Sequence, residues 1–123
     1  MAGKKILLID DSRTVLMMES TILVQRGYEI VTAADGVEGV AKAVSDRPDL
    51  ILMDLMMPNM DGFEACRRLR ENETTRSIPI IMVTTKSEVE KIKAAEELGC
   101  QGYVTKPVNG SELLAKVKAL LNG

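Results

Sequence analysis

Residues 50–62 read LILMDLMMPNMDG, and this stretch does most to decide the fold. It begins with a short apolar run, Leu50–Met53, which is typical of a parallel strand covered on both faces. The run ends at Asp54. Asp61 then stands three residues before Glu64, a spacing that is typical of the first turn of a helix. The stretch therefore predicts a strand that passes through a loop into a helix.

The same alternation of short apolar runs and longer amphipathic segments extends to both ends of the chain. Four further strands are predicted at Ile6–Ile9, Glu29–Ala33, Ile80–Val83 and Gly102–Val104. Five strands that alternate with five helices indicate a parallel sheet with helices on both faces. We interpret residues 1–123 as one domain, because no linker, repeat or low-complexity tract interrupts them.

Capping residues and apolar stripes predict where the helices begin and which faces they bury. A capping residue with Glu three positions later occurs at Asp35, Asp61, Ser87 and Asn109, and only the Ser87 pair is a strict capping box. Gly27 and Gly99 are expected at helix C-termini. The stripes predicted for the first two helices are Val15, Met18 and Ile22, then Val37, Val40, Ala41 and Val44. Most of the eight methionines are expected in the core.

Composition excludes several classes of protein. The chain has no histidine, which excludes Ser-His-Asp and Cys-His catalysis and any His-based metal site. Sixteen basic and eighteen acidic residues form no basic stripe, so no direct contact with nucleic acid is expected. No apolar run approaches the roughly 20 residues of a membrane span. We therefore expect a cytoplasmic protein with reduced thiols at Cys66 and Cys100, whose ends look natural, although excision from a longer protein stays open.

The residues that could carry chemistry follow the predicted strands. The carboxyl ends of parallel strands meet at one edge of a sheet, where functional groups collect. The residues expected there are Asp10, Asp11, Asp54, Thr84 and Lys106. Taken singly, each has a commoner structural explanation as a cap or a turn residue. Taken together, three carboxylates that repel one another favour a hard divalent cation such as Mg²⁺, and one of them could attack phosphorus to form an aspartyl phosphate.

With these motifs in place, the chain resembles the receiver domain of response regulators, most closely the stand-alone, chemotaxis CheY-like type. The resemblance covers essentially the whole chain. The motifs that carry it are LLIDDS (7–12), LILMDLMMPNMDG (50–62), IIMVTT (80–85) and GYVTKP (102–107). It implies a doubly wound α/β fold of the flavodoxin/CheY-like kind, with strand order 2-1-3-4-5.

The resemblance also implies a phosphorylation site. Asp54 would be the phosphoacceptor. Asp10, Asp11 and Asp54 would hold Mg²⁺ or Mn²⁺ together with the backbone carbonyl of Met56. Lys106 would contact the phosphoryl oxygens.

A switch is implied as well. The bond from Lys106 to Pro107 is expected to be cis, as in the family. Thr84 would move to hydrogen-bond the phosphoryl group, and Tyr103 would rotate inward behind it. Simple packing stays open as the alternative for Tyr103. The output surface would be the α4-β5-α5 face, roughly residues 86–121.

Two positions depart from the chemotaxis-type pattern. Met56 stands where such proteins often carry Asn, and Lys86 stands where they often carry Glu. In the family these positions flank the path of the hydrolytic water and tune the lifetime of the phosphoryl group. Methionine orients water poorly and lysine cannot accept its proton. We therefore expect slow self-dephosphorylation, and control of a flagellar motor becomes doubtful.

The leading interpretation is a bacterial response regulator of a two-component phosphorelay, which receives phosphate from a histidine kinase and controls a target protein. It is not an enzyme in the metabolic sense, although it would assist its own phosphorylation and dephosphorylation. We expect a monomer, with dimerisation on activation left open. The kinase, the target and the process also stay open, whether chemotaxis, pilus or gliding motility, or development.

Two alternatives remain. The first is an interaction module that keeps the receiver fold but works without phosphorylation. The second is a phosphatase with an aspartyl nucleophile, which usually needs a second acidic residue close by. The residue two positions after Asp54 is Met56, which is not acidic.

Overall fold

The computed structural model describes residues 3–122, with side chains through residue 121, as five strands that alternate with helices. The strands are β1 (Lys5–Ile9), β2 (Glu29–Ala33), β3 (Leu50–Asp54), β4 (Ile80–Thr84) and β5 (Gly102–Thr105). The helices are α1 (Arg13–Val24), α2 (Gly36–Asp46), α3 (Gly62–Glu71), α4 (Ile92–Glu97) and α5 (Gly110–Asn122). A 3₁₀ segment, Lys86–Lys91, leads into α4. Met1, Ala2 and Gly123 of the predicted domain lie outside the described residues.

The five strands form one parallel sheet in the order β2-β1-β3-β4-β5. This confirms the parallel sheet and the strand order that the resemblance implied. Ile9 pairs with Met53 of β3, and Asp54 pairs with Val83 of β4. The neighbouring strands therefore end close to the same level, and the residues that follow them share one edge of the sheet.

Each face of the sheet packs against its own helices, which explains why the strands are nearly continuous apolar runs. Leu7 and Ile9 belong to the core on the side of α2, α3 and α4. Ile6 and Leu8 belong to the core on the side of α1 and α5. Among the described residues, no helix is both long enough and apolar enough to cross a membrane.

Side-chain caps confirm three of the four predicted helix starts. Asp35, Asp61 and Asn109 each accept a hydrogen bond from the backbone N–H three residues on, at 2.9–3.0 Å. The capping box predicted at Ser87 with Glu90 is wrong. The chain enters a 3₁₀ segment directly after Thr85, and Ser87 lies inside that segment rather than before it.

The predicted glycine positions are confirmed by the backbone. Gly27 and Gly99, which follow α1 and α4, have φ of +88° and +104°. Residues with a side chain rarely adopt this left-handed region, so the glycines let the chain turn out of each helix.

The buried face of α1 differs from the prediction. Glu19 and Leu23 are its buried residues, whereas Met18 is exposed. The predicted apolar stripe is wrong here because the carboxylate of Glu19 occupies a position on the buried face. The expectation for the methionines is also wrong in part, since Met17 and Met56 lie at the surface.

The buried face of α2 also differs from the predicted stripe of valines. Gly36, Gly39 and Ala43 are buried, whereas Val37 is 54% exposed. A Cβ atom at Gly39 would lie 2.4 Å from Cδ1 of Ile9 on β1. The helix thus approaches the sheet through its smallest residues, and this close approach turns Val37 outward.

Candidate functional site

Three carboxylates meet where β1 and β3 end. Asp10 and Asp11 follow β1, and Asp54 is the last residue of the neighbouring strand β3. One carboxylate oxygen from each residue lies within 4.8 Å of the other two. Asp10 is 1% exposed and Asp54 is 6% exposed, whereas Asp11 is open to solvent. The cluster is therefore buried on one side and accessible on the other.

Backbone hydrogen bonds hold Asp10 in place. Its N–H donates to the carbonyl of Ala33 at 3.1 Å, and its Oδ1 accepts from the N–H of Ser12 at 2.8 Å. Its Oδ2 is buried without a hydrogen-bond partner among the residues that the structure describes. A buried carboxylate oxygen is seldom left without a partner, so Oδ2 is a candidate ligand for a cation.

Lys106 supplies the positive charge of the site. Its Nζ lies 3.3 Å from Oδ2 of Asp54 and 3.5 Å from Oδ2 of Asp10. Its backbone N–H donates to the carbonyl of Thr84 at 2.7 Å, which joins the ends of β4 and β5. The Lys106–Pro107 bond is cis, as the resemblance implied. The ammonium is thus placed against both buried carboxylates.

The charges of the site do not balance, and the pKa values reflect this. Burial, followed by the charge of Asp10, raises the pKa of Asp54 to about 6. Burial also raises the pKa of Asp10. Burial alone would lower the pKa of Lys106, but the charges of Asp54 and Asp10 outweigh it, so the net pKa is raised. The cluster holds three carboxylates, and the one ammonium contacts only Asp10 and Asp54. This set of hard oxygen donors fits Mg²⁺.

Of the two predicted switch residues, Thr84 is the last residue of β4, whereas Tyr103 lies within β5 and pairs with Met82. Thr84 is buried, and its hydroxyl donates to the carbonyl of Thr85 at 3.3 Å. Tyr103 is half-buried and packs against the core on the α2, α3 and α4 side. Lys86 is exposed at the start of the 3₁₀ segment. The structure therefore brings four predicted site residues into one cluster, Asp10, Asp11, Asp54 and Lys106. Thr84 ends the strand next to Asp54, and Tyr103 lies further back in β5.

The loop after β3 is held by backbone and side-chain hydrogen bonds. Gly62 N–H donates to the carbonyl of Leu55 at 2.7 Å, and Asn59 donates to Oδ2 of Asp35 at 3.1 Å. A Cβ atom at Gly62 would lie 2.9 Å from Cα of Leu55, so glycine permits this close approach. The side chain of Met56 takes no part in these contacts and is 41% exposed.

Two residues near the site were missed by the sequence reasoning. Glu19 on α1 is 1% exposed, and burial, followed by the charge of Asp10, raises its pKa to about 8. Its position four residues before Leu23 was the available signal, since both fall on one face of a helix. Lys116 on α5 contacts Tyr103. It stands three residues after the buried Leu113, but spacing does not reveal which strand it reaches.

Residues 6–118 match the response regulator receiver domain family. Protein PilH of Pseudomonas aeruginosa is 39% identical over 97% of this chain and 98% of its own. The first curated relatives that the chain matches are transcriptional regulators, and it spans about half of their length.

Solved structures agree with the sequence relatives. The structure of chemotaxis protein CheY4 of Vibrio cholerae superposes with a TM-score of 0.91 at 39% identity, covering 98% of this chain and all of that one. The receiver domain of sensor histidine kinase PA1611 of Pseudomonas aeruginosa superposes with a TM-score of 0.91 at 31% identity, covering 99% of this chain and all of that one. That structure has a magnesium ion coordinated in its active site cleft.

Proposed function

The chain belongs to the response regulator receiver domain family, and on that premise we propose that it is a phosphorylation switch with Asp54 as the acceptor. The observation that carries the proposal is the cluster itself. Asp10, Asp11 and Asp54 bring ligand oxygens within 4.8 Å of one another, and Lys106 Nζ lies 3.3 Å from Asp54. A histidine kinase would donate the phosphoryl group.

The proposed chemistry is one in-line displacement. An oxygen of the Asp54 carboxylate attacks the phosphorus of a phosphohistidine, the P–N bond breaks, and the imidazole nitrogen leaves and takes up a proton. The product is an acyl phosphate on Asp54. Lys106, already beside the attacking carboxylate, would neutralise charge on the phosphoryl oxygens.

We also propose the ligands of a divalent cation. Asp10, Asp11 and Asp54 would hold Mg²⁺, or Mn²⁺ in its place, together with the backbone carbonyl of Met56. The buried Oδ2 of Asp10 has no hydrogen-bond partner among the described residues and only the Lys106 ammonium nearby, at 3.5 Å, which supports this assignment. When bound, the ion would neutralise charge that accumulates on the phosphoryl group.

Phosphorylation would change the contacts of Thr84. A phosphoryl group brings about −1.5 to −2 charges and three acceptor oxygens. The Thr84 hydroxyl, which now donates to the Thr85 carbonyl at 3.3 Å, would turn to one of these oxygens. Tyr103 would then rotate inward, and the α4-β5-α5 face, roughly residues 86–121, would present a changed surface to a target protein.

The names of PilH and of chemotaxis protein CheY4 favour motility as the process that this chain serves. The proposal includes a cytoplasmic protein that is monomeric at rest and acts through a protein target rather than through DNA. The lack of any basic surplus in the composition supports the last point.

The experiment that tests the acceptor is intact mass spectrometry after incubation with a small-molecule phosphodonor, with and without Mg²⁺. The variant is Asp54→Asn, which removes the nucleophilic oxygen and keeps the shape. The matched control is Asp46→Asn at the end of α2, beside Lys5 at the opposite edge of the sheet.

Wild type and the Asp46→Asn control should gain the mass of one phosphoryl group only with Mg²⁺. The Asp54→Asn variant should gain none. Phosphorylation of Asp54→Asn at the wild-type rate would overturn the assignment. Binding of a target protein with equal affinity to wild type and Asp54→Asn, before and after the phosphodonor, would instead favour the interaction module that works without phosphorylation.

A further inference from the structure

Lys116 of α5 contacts Tyr103 of β5 in two ways. Its Nζ donates a hydrogen bond to the backbone carbonyl of Tyr103. The same Nζ lies 5.0 Å from the centroid of the Tyr103 ring, within the range of a cation–π contact. Both side chains are half-buried. One ammonium therefore holds the backbone and the ring of the same residue.

The place of this pair in the fold limits how the ring can move. β5 is an edge strand of the sheet, with β4 as its neighbour. The Tyr103 ring packs against the core on the α2, α3 and α4 side, and the Lys116 ammonium reaches it from α5. Any rotation of the ring must therefore break the contact with Lys116 or carry Lys116 with it.

We propose that Lys116 is a positioning residue that holds Tyr103 in its resting orientation and couples the ring to α5. The inference rests on the proposed function, since Tyr103 is the aromatic residue of the proposed switch. In this orientation the Thr84 hydroxyl donates to the carbonyl of Thr85, and we take the arrangement as the resting one. Movement of the ring would then reach the exposed face of α5 through Lys116.

The effect follows from the strength of such contacts. A cation–π contact at a partly exposed site shifts an equilibrium by about twofold to fivefold. Removing the ammonium should favour rotation of the ring by that factor. Because the rotated ring belongs to the phosphorylated state, reaction of Asp54 with a phosphodonor should accelerate by a similar factor.

Tyr103 can report its own position. The chain has no tryptophan and two tyrosines, so Tyr28→Phe makes Tyr103 the only strongly fluorescent side chain. In that background we compare Lys116→Met, which removes both contacts, with Lys116→Arg, which can keep both. Lys118→Met, an exposed lysine on the same helix, is the matched control.

Acrylamide quenching of Tyr103 is measured without any phosphodonor. Quenching should change in Lys116→Met and stay near the Tyr28→Phe parent in Lys116→Arg and Lys118→Met. Unchanged quenching in Lys116→Met would overturn the proposal. Circular dichroism checks the fold, and Lys116→Gln replaces Lys116→Met if that variant does not fold.

The second measurement is the phosphorylation rate by intact mass. Lys116→Met should react about twofold to fivefold faster than its parent, and Lys116→Arg and Lys118→Met should match it. Equal rates, together with altered quenching, would show that Lys116 restrains the ring but does not affect phosphorylation, and would overturn its proposed part in the switch. If even the parent is never phosphorylated, the proposed function fails, whereas the quenching result still decides whether Lys116 holds the ring.

Discussion

Replacing Glu19 with leucine should stabilise the protein at neutral pH. The side chain is 1% exposed on the buried face of α1, which packs against β1, β2 and α5. Its Oε2 has no hydrogen-bond partner among the residues that the structure describes. Leucine has a similar size and carries no group that loses hydration on burial.

The magnitude follows from the difference in pKa between the folded and unfolded states. The ordinary pKa of glutamate is 4.5, and burial, followed by the charge of Asp10, raises that of Glu19 to about 8. Between these values the folded state keeps a proton that the unfolded state loses. The free energy of unfolding therefore falls as pH rises, by about 1.4 kcal/mol per pH unit. This loss is absent below pH 4.5 and reaches about 3 kcal/mol at pH 7.

The assay is urea unfolding followed by circular dichroism at pH 5 and pH 7, in the presence of a metal chelator. The stability gap between wild type and Glu19→Leu should widen by about 2–3 kcal/mol from pH 5 to pH 7, because a small part of the loss has already occurred at pH 5. Glu19→Gln keeps a buried polar group without a titratable charge. It should share the pH dependence of Glu19→Leu but stay about 1–3 kcal/mol less stable.

A gap between wild type and Glu19→Leu that is equal at both pH values would refute the reasoning. Glu97→Gln on α4 is the control, because Glu97 is exposed. If Glu97→Gln showed the same widening, the effect would belong to the overall charge rather than to Glu19.

Two further predictions concern the proposed phosphate lifetime and the stability of the fold. In the double variant Met56→Asn, Lys86→Glu, the phosphoryl group should be lost up to about a hundredfold faster, because the amide can orient water and the carboxylate can accept its proton. Decay of the phosphorylated mass at the wild-type rate would count against this. Arg70 donates to the carbonyls of Ile78 and Gly99 at 2.8 and 2.7 Å, so Arg70→Met should lower the free energy of unfolding by about 2–3 kcal/mol. Arg67→Met, an exposed arginine on the same helix, should lower it by less than about 1 kcal/mol, and equal losses in urea unfolding would contradict the role of Arg70.

The features of this fold that depend on local pattern were predictable from the sequence. Strands buried on both faces read as continuous apolar runs, and Leu50–Met53 extends by only one residue, Asp54, in the structure. The cluster of Asp10, Asp11 and Lys106 was predictable for a topological reason, because parallel strands bring their carboxyl ends to one edge.

The features that depend on distant neighbours were not predictable. The exposed position of Val37 follows from the contact between Gly39 and Ile9, which joins two different elements. Glu19, in contrast, had a local signal in its spacing of four residues to Leu23, and it was missed because the predicted stripe counted only apolar residues. The pairing of Lys116 with Tyr103 depends on how α5 returns to the edge strand, and no residue spacing encodes that path.

The loop after β3 lets the proposed cation site and the proposed lifetime of the phosphoryl group change independently of each other. Its path is held by the Gly62–Leu55 hydrogen bond and by the Asn59 amide, and the side chain of Met56 faces solvent. In our proposal Met56 serves the cation through its backbone carbonyl, which every amino acid possesses. Selection can therefore replace the side chain at position 56 and adjust the duration of a signal while leaving the ion site intact. Single substitutions at this position could therefore give the same fold either a short or a long signal.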